Sequence, residues 1–242
     1  KTRGFSTRDG GATWDETRWE FDPASGVNTA KVYAVSGPKY GEFGLDGWAH
    51  CAEVATVGKG VTIRGMGATP ADVVLTRKNK STNHRILTLN HESCWITGLT
   101  LDDGYLANQS ERGAGVCIEG RGGTVSNCVI TACKSDNNQS QVGGAYVKGG
   151  VLRNSTFFNN RTLEGSAVNA AGGTVLNCVS GGSTTSKNPS AGSPEWGGSA
   201  ACFDTCAFVG LAADKLPGAS SLAVADPFVS SVPRKLIHVS GI

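Results

Sequence analysis

Short runs of alternating apolar and polar residues recur along the chain and superimpose when the sequence is slid on itself. The matching runs occupy 94–101, 124–130, 151–157, 174–180 and 203–208. Their central column holds Leu99, Cys128, Ser155, Cys178 and Cys206. Self-similarity at a period of this length is typical of solenoids, whose repeats stack on one another. We predict that this column faces the core and that the run at 61–66 extends it to Met66.

A second short strand is predicted in each repeat. The glycine- and alanine-rich segments that carry it begin at Gly113, Gly143, Gly165 and Gly198. Alternation at period two gives each strand an inner and an outer face, whereas a helical repeat would place apolar residues three and four apart. Gly-Gly pairs at 122–123, 149–150 and 172–173 lie between the strands. A tight corner there needs a residue that accepts positive φ.

These features predict an all-β fold, a right-handed parallel β-helix whose successive rungs pair about 4.8 Å apart. Six or seven rungs would make a rod on the order of 30 Å long. The chain divides into an N-terminal capping segment at 1–57, a β-helix at 58–230 and a C-terminal tail at 231–242. Within the first segment, Leu45 to Val57 is expected to form a short capping helix over the exposed strand edges.

Stacking also predicts the roles of several side chains. Aligned amides can hydrogen-bond along the stack, so a structural role is expected for Asn127, Asn154 and Asn177. Cys128 and Cys178 stand two rungs, about 9.6 Å, apart, beyond the reach of about 7 Å for a disulfide, and are predicted to be free thiols. The sequence leaves open the bonding state of Cys51, Cys94, Cys117, Cys133 and Cys202.

Composition and charge exclude several classes of function but do not identify one. Glycine accounts for 34 of 242 residues and charged residues for 17%, which suits short strands and tight turns. The net charge of +2 is spread along the chain, so nucleic acid is not an expected partner. No apolar run reaches the roughly 18 residues of a membrane span, and no Cys-x-x-Cys pair indicates zinc. Neither a membrane span nor a metal or other cofactor is therefore expected.

Near the N-terminus, Thr7-Arg8-Asp9-Gly10-Gly11-Ala12-Thr13-Trp14 resembles the Asp-box hairpin of sialidase-like and other secreted glycan-associated proteins. The Asp9-Gly10 pair is a hairpin signal in its own right. The resemblance implies a structural turn and no sialidase activity.

The repeated segments resemble the pectin-lyase-like β-helix superfamily, and within it the bacterial surface repeat of the polymorphic outer-membrane-protein type. The likeness covers about 61–229 and is carried by Gly144-Ala145-Tyr146, Asn154-Ser155-Thr156-Phe157 and Ala225-Asp226-Pro227-Phe228-Val229. It implies a secreted or cell-surface location, and relatives of the surface type commonly continue beyond the last segment. The superfamily includes polysaccharide lyases, glycoside hydrolases, adhesins and phage tailspikes, so the fold does not choose an activity.

Four insertions occupy the same point of the repeat, at 102–112, 134–142, 158–164 and 181–197. A solenoid projects such insertions from one side, where they frequently build a binding site. The candidate binding residues within them are Tyr105, Arg112, Lys134, Asp136, Arg161 and Trp196. Aromatic rings beside charged groups suit sugars with acidic or hydroxyl substituents. Solvated loops of variable length are the alternative interpretation.

Catalytic interpretations also find candidate residues. A lyase needs a base and a cation beside the sugar carboxylate, for which the candidates are Lys134, Lys148, Arg121, Arg153, Asp102 and Asp103. A hydrolase needs two carboxylates roughly 5–10 Å apart, from among Glu111, Glu119, Asp136 and Glu164. None of these residues lies in a recognisable catalytic motif, so the catalytic residues remain unassigned.

Three functions remain. We favour a non-catalytic secreted or cell-surface module that binds a polysaccharide or a surface protein. The alternatives are a polysaccharide lyase or glycoside hydrolase acting on an extracellular polysaccharide, and a structural rod that self-associates.

Overall fold

The fold is a right-handed parallel β-helix, as predicted, seen here in a computed structural model. The structure describes residues 56–58, 60–77, 80–107, 111–136, 142–163, 165–186, 193–218 and 220–224, and in addition the strand positions and pairing within 3–7, 15–17, 20–22, 27–29, 41–51 and 55. The first strands are β1 (Arg3–Thr7), β2 (Asp15–Thr17), β3 (Glu20–Asp22), β4 (Val27–Thr29), β5 (Gly41–Cys51) and β6 (Ala55–Val57).

The remaining strands build the rungs that follow. They are β7 (Val61–Gly65), β8 (Val73–Arg77), β9 (Leu87–Leu89), β10 (Trp95–Thr97), β11 (Thr100–Asp102), β12 (Tyr105–Leu106), β13 (Val116–Ile118), β14 (Thr124–Ser126), β15 (Val129–Thr131), β16 (Lys134–Ser135), β17 (Val142–Val147), β18 (Val151–Arg153), β19 (Thr156–Phe158), β20 (Arg161–Thr162), β21 (Ser166–Ala170), β22 (Thr174–Leu176), β23 (Val179–Gly181), β24 (Thr184–Thr185), β25 (Trp196–Gly198), β26 (Phe203–Asp204), β27 (Ala207–Val209) and β28 (Leu222–Val224). In the part of the chain that the structure describes, single-turn 3₁₀ helices lie at Pro70–Asp72, Ala200–Cys202 and Ala213–Lys215.

Parallel pairing of equivalent strands produces four sheets. Sheet A contains β7, β10, β14, β18, β22 and β26. Sheet B contains β8, β11, β15, β19, β23, β27 and β28. Sheet C contains β6, β9, β13, β17, β21 and β25, and sheet D contains the short strands β12, β16, β20 and β24.

A complete rung therefore carries four strands, one from each sheet, where the sequence pattern indicated two. The run at 124–130 looks like one strand but is divided at Asn127, whose φ is 50°. This left-handed residue turns the chain from sheet A into sheet B. The fourth strand lies within the insertion and is only two residues long, too short for a periodic signal.

The N-terminal strands begin the stack before residue 58. β5 pairs in parallel with β7 through Gly41–Leu45 and with β8 through Gly47–Cys51. The helix expected over Leu45 to Val57 is therefore wrong, because pairing with the next rung makes this segment strand, and Gly47 disfavours a helix. β1 and β2 pair as an antiparallel hairpin. Residues 8–14 between them, which carry most of the Asp-box sequence, lie outside the described residues.

The core fills the space between the sheets with columns of apolar side chains. The inward column of sheet A is Ile63, Ile96, Val125, Leu152, Val175 and Phe203. At the corner between sheets A and B, the predicted column of Leu99, Cys128, Ser155, Cys178 and Cys206 is confirmed as buried. Met66 does not extend this column. It is 42% exposed, and Val73 takes the position because an added turn with the Pro70–Asp72 helix separates β7 from β8.

The cysteines are free thiols in the part of the chain that the structure describes, including Cys128 and Cys178 as predicted. The group also includes four whose bonding state was open, namely Cys94, Cys117, Cys133 and Cys202. Burial raises the pKa of Cys128 to about 12 and raises that of Cys178 as well. These thiols serve as small apolar core groups. Cys51 has no described side chain.

The register of sheet C differs from the one that the glycine-rich segments suggested. Val116 lies opposite Ala145, Ala145 opposite Val168, and Val168 opposite Trp196. The predicted alignment, which starts each segment at its first glycine, put Tyr146 in the column of Val116, one residue away from Ala145. It put Ala201 in the same column, five residues away from Trp196. A register irregularity between Val142 and Ala145 and the different lengths of the preceding insertions are the causes.

Candidate functional site

The four insertions share one strand position in the rung, and their short strands stack as sheet D. The outward column of this sheet is Tyr105, Lys134, Arg161 and Thr184. The neighbouring column of Leu106, Ser135 and Thr162 is buried. Alternation across each two-residue strand thus anchors one side chain in the core and leaves the other at the surface.

Asp136, directly after β16, joins three of these surface side chains. Its carboxylate pairs with the Lys134 ammonium, and its Oδ1 lies 3.4 Å from a guanidinium nitrogen of Arg161. Its Oδ2 accepts a hydrogen bond of 3.3 Å from the Tyr105 hydroxyl. We call Tyr105, Lys134, Asp136 and Arg161 the sheet D cluster. The structure brings together these four of the six predicted binding residues across three successive rungs.

Two cations contact the aromatic ring of the cluster. The Lys134 ammonium lies 5.0 Å from the centre of the Tyr105 ring, and the Arg77 guanidinium lies 5.4 Å from it. The Arg161 side chain is 50% exposed and that of Lys134 is 35% exposed. Both can therefore exchange part of their contact with Asp136 for a ligand.

Arg77 was not among the predicted site residues. It is buried, and its guanidinium donates to the backbone carbonyls of Asp103 and Thr82 and pairs with the Asp103 carboxylate at 3.2 Å. These bonds fix Arg77 beneath Tyr105 as a positioning residue. Sliding Leu75-Thr76-Arg77 onto Leu101-Asp102-Asp103 would have placed the two charges on adjacent rungs.

The other two predicted residues lie elsewhere. The Arg112 guanidinium stacks 5.3 Å from the ring centre of Tyr146 in sheet C and donates to its hydroxyl. Trp196 continues the inward column of sheet C and packs edge-on against Phe203, with ring centres 5.5 Å apart. Its indole nitrogen donates to the Lys215 carbonyl. Trp196 therefore closes the core near the last rungs and is not part of the sheet D cluster.

Several of the candidates for catalysis form ion pairs with structural partners. Asp103 pairs with Arg77, Glu119 with Lys148 at 3.7 Å, and Glu111 with Arg85 at 4.0 Å. Asp102 lies 3.5 Å from the Thr76 hydroxyl. Glu164 lies outside the described residues. These pairings do not single out two carboxylates that face each other across a groove.

No family model, no curated protein and no solved structure matches the chain. Among the described residues no helix has the length and apolar character needed to cross a membrane. In the same part of the chain, no group of three or more His, Cys, Asp or Glu side chains is arranged to hold a metal ion.

Proposed function

We propose that this chain is a non-catalytic β-helix module of a secreted or cell-surface protein and that it binds a polysaccharide along sheet D. The observation that carries the proposal is the sheet D cluster, in which an aromatic ring, an exposed and a partly exposed cation and a carboxylate meet on three successive rungs. Such a surface offers donors, an acceptor and a flat ring to one extended ligand.

The geometry of the stack supports an extended ligand. Lys134 and Arg161 occupy neighbouring rungs, so their backbones are about 4.8 Å apart along the axis of the helix. A polysaccharide that lies parallel to this axis presents its substituents to the cations one after another. Because the cluster has two cations and one carboxylate, substituents that are acidic or rich in hydroxyl groups suit it best.

The sequence resemblance supports the secreted or cell-surface location in this proposal. The repeated segments resemble the pectin-lyase-like superfamily and its bacterial surface repeats, which include adhesins. In this interpretation the fold supplies a rigid rod and the insertions supply recognition. A polysaccharide lyase or hydrolase and a self-associating rod are the alternatives, and a surface protein is the alternative ligand.

The decisive experiment is a glycan array with acidic and neutral polysaccharides, followed by digestion assays on every ligand that binds. We expect binding without cleavage. The double variant Lys134→Ala/Arg161→Ala should bind at least about tenfold more weakly, which corresponds to about 1.4 kcal/mol. Exposed ion pairs contribute little to stability, so its melting temperature should stay close to that of the parent.

Arg121→Ala is the matched control, because it removes an exposed arginine at a glycine corner away from sheet D. It should bind the array ligands as the parent does. Undiminished binding by the folded double variant would contradict the proposal. Cleavage of a bound polysaccharide would favour the enzyme, and concentration-dependent filaments without glycan binding would favour the rod.

A further inference from the structure

The outer face of sheet A carries a second surface with aromatic and cationic side chains. It shares no residue with the sheet D cluster. Its outward positions are mostly short side chains, among them Thr62, Thr97, Thr124, Ser126, Val151 and Thr174. From this flat surface project Trp95, Arg153 and Arg64. Trp95 is 38% exposed, which is unusual for the largest apolar side chain when it lies in a sheet.

Hydrogen bonds fix the orientation of the Trp95 ring. Its indole nitrogen donates to the Ser126 hydroxyl on the next rung at 2.7 Å, and this hydroxyl donates to Thr97 at 3.2 Å. Ser126 is buried, so both bonds are partly shielded from water. The ring is therefore held in place before any ligand arrives, which reduces the entropy lost on binding.

Arg153 supplies a charge beside this ring. Its guanidinium carbon lies 5.9 Å from the centre of the Trp95 ring, and its Nε is buried without a hydrogen-bond partner among the described residues. Arg64, one rung below Trp95 and in the same outward column as Thr97, Ser126 and Arg153, is exposed. The positive charge of Arg153 beside the indole attracts an anion.

We infer that Trp95 and Arg153 form a binding site for an acidic sugar. The apolar face of the sugar ring stacks on the exposed part of the indole, and its carboxylate pairs with the Arg153 guanidinium. The threonine hydroxyls around the ring match the remaining sugar hydroxyls. The site is separate from the sheet D cluster and does not depend on it.

The test uses a tetrasaccharide of β-1,4-linked glucuronic acid, with the corresponding glucose tetrasaccharide as neutral probe, in isothermal titration and tryptophan fluorescence. We expect the acidic probe to bind and to change the fluorescence of Trp95. In the Lys134→Ala/Arg161→Ala background, where the sheet D cluster no longer contributes, Trp95→Ala should weaken binding of the acidic probe at least tenfold. Trp95→Phe keeps a flat ring, so it should retain most of the binding and lose the fluorescence change. Arg153→Gln should reduce the affinity for the acidic probe to that for the neutral one.

Two controls separate this site from other surfaces. Met66→Ala removes an exposed apolar side chain outside the Trp95 and Arg153 site and should leave binding unchanged. Lys134→Ala/Arg161→Ala should leave the fluorescence change intact, so that failure of the sheet D proposal and failure of this one are distinguishable. The inference is overturned if the parent does not bind the acidic probe, if adding Trp95→Ala to the Lys134→Ala/Arg161→Ala variant leaves binding unchanged, or if a single-stranded oligonucleotide binds at this ring in place of the sugar.

Discussion

At the scale of single residues, the least expected feature is a carboxyl group in the interior. Glu195 is 4% exposed, and its Oε2 lies 2.6 Å from the Ser180 hydroxyl of sheet B. Its Oε1 accepts a hydrogen bond of 2.8 Å from the backbone N–H of Ser183. Strands β21, β23, β24 and β25 carry no charged residue. Burial therefore raises the pKa of Glu195, against the opposing effect of these hydrogen bonds.

The raised pKa predicts how stability depends on pH. The folded protein holds the Glu195 proton more tightly than the unfolded chain, so this stabilisation is complete below pH of about 4.3 and declines as the pH rises through the folded-state value. Glu195→Gln keeps the shape and cannot ionise. As the pH rises from 4 to 8, the melting temperature of the parent should therefore fall relative to that of the Glu195→Gln variant.

The size of this effect is within reach of calorimetry. A difference of about 1 kcal/mol moves the melting temperature of a domain of this size by roughly 2–4 °C. Glu119→Gln is the control, since that carboxylate is part of a surface pair with Lys148 and is partly exposed. If the melting temperatures of the parent and Glu195→Gln differ by the same amount across this pH range, the pKa of Glu195 is not raised.

At the scale of elements, the corners between sheets A and B depend on left-handed backbone. The residues at this corner have φ between 49° and 71° and are Gly98, Asn127, Asn154, Asn177 and Thr205. The three asparagines are structural, but the predicted hydrogen bonding of their amides along the stack is wrong. Their side chains are exposed and are not bonded to one another in the described residues, and it is their backbone conformation that the position requires. Asparagine tolerates the left-handed region better than most residues with a Cβ.

Substitution at one corner tests this requirement. Asn154→Ala should destabilise the fold by about 1–2 kcal/mol, because alanine adopts the left-handed conformation less readily. Asn154→Gly should cost less, since glycine accepts positive φ without a steric penalty. Urea denaturation measures both. Because Asn154 is exposed, an Ala variant as stable as the parent would show that the corner accepts another conformation.

At the scale of the whole molecule, stability comes from stacked apolar columns without covalent links in the described residues. Phe157 and Phe208 fill the interior of sheet B, and Trp196 covers Phe203 near the last rungs. Each rung buries its inward side chains only because the next rung covers them. Cooperative unfolding of the stack is the expected consequence.

Redox conditions should therefore leave the fold unchanged. The melting temperature should be the same with and without a reductant, and denatured protein should show at least seven free thiols, the number in the described residues. In the native state the thiols of Cys117, Cys128 and Cys133 should react slowly, because the thiolate is the reactive form and burial raises the pKa of each of them. A mapped peptide pair joining Cys128 to Cys178 would contradict the stacking geometry.

The sequence alone determined the parallel β-helix and the buried column from Leu99 to Cys206, because alternation of apolar and polar residues specifies inside and outside over short distances. Tertiary structure decided which outward side chains meet. Trp196 turned inward and Arg77 came to lie against Tyr105, since strand register depends on left-handed corners, bulges and insertion lengths that leave no periodic signal. Tyr105, Lys134 and Arg161 were found because they occupy equivalent points of the repeat. The bridge that Asp136 makes between them exists only in the stacked rungs.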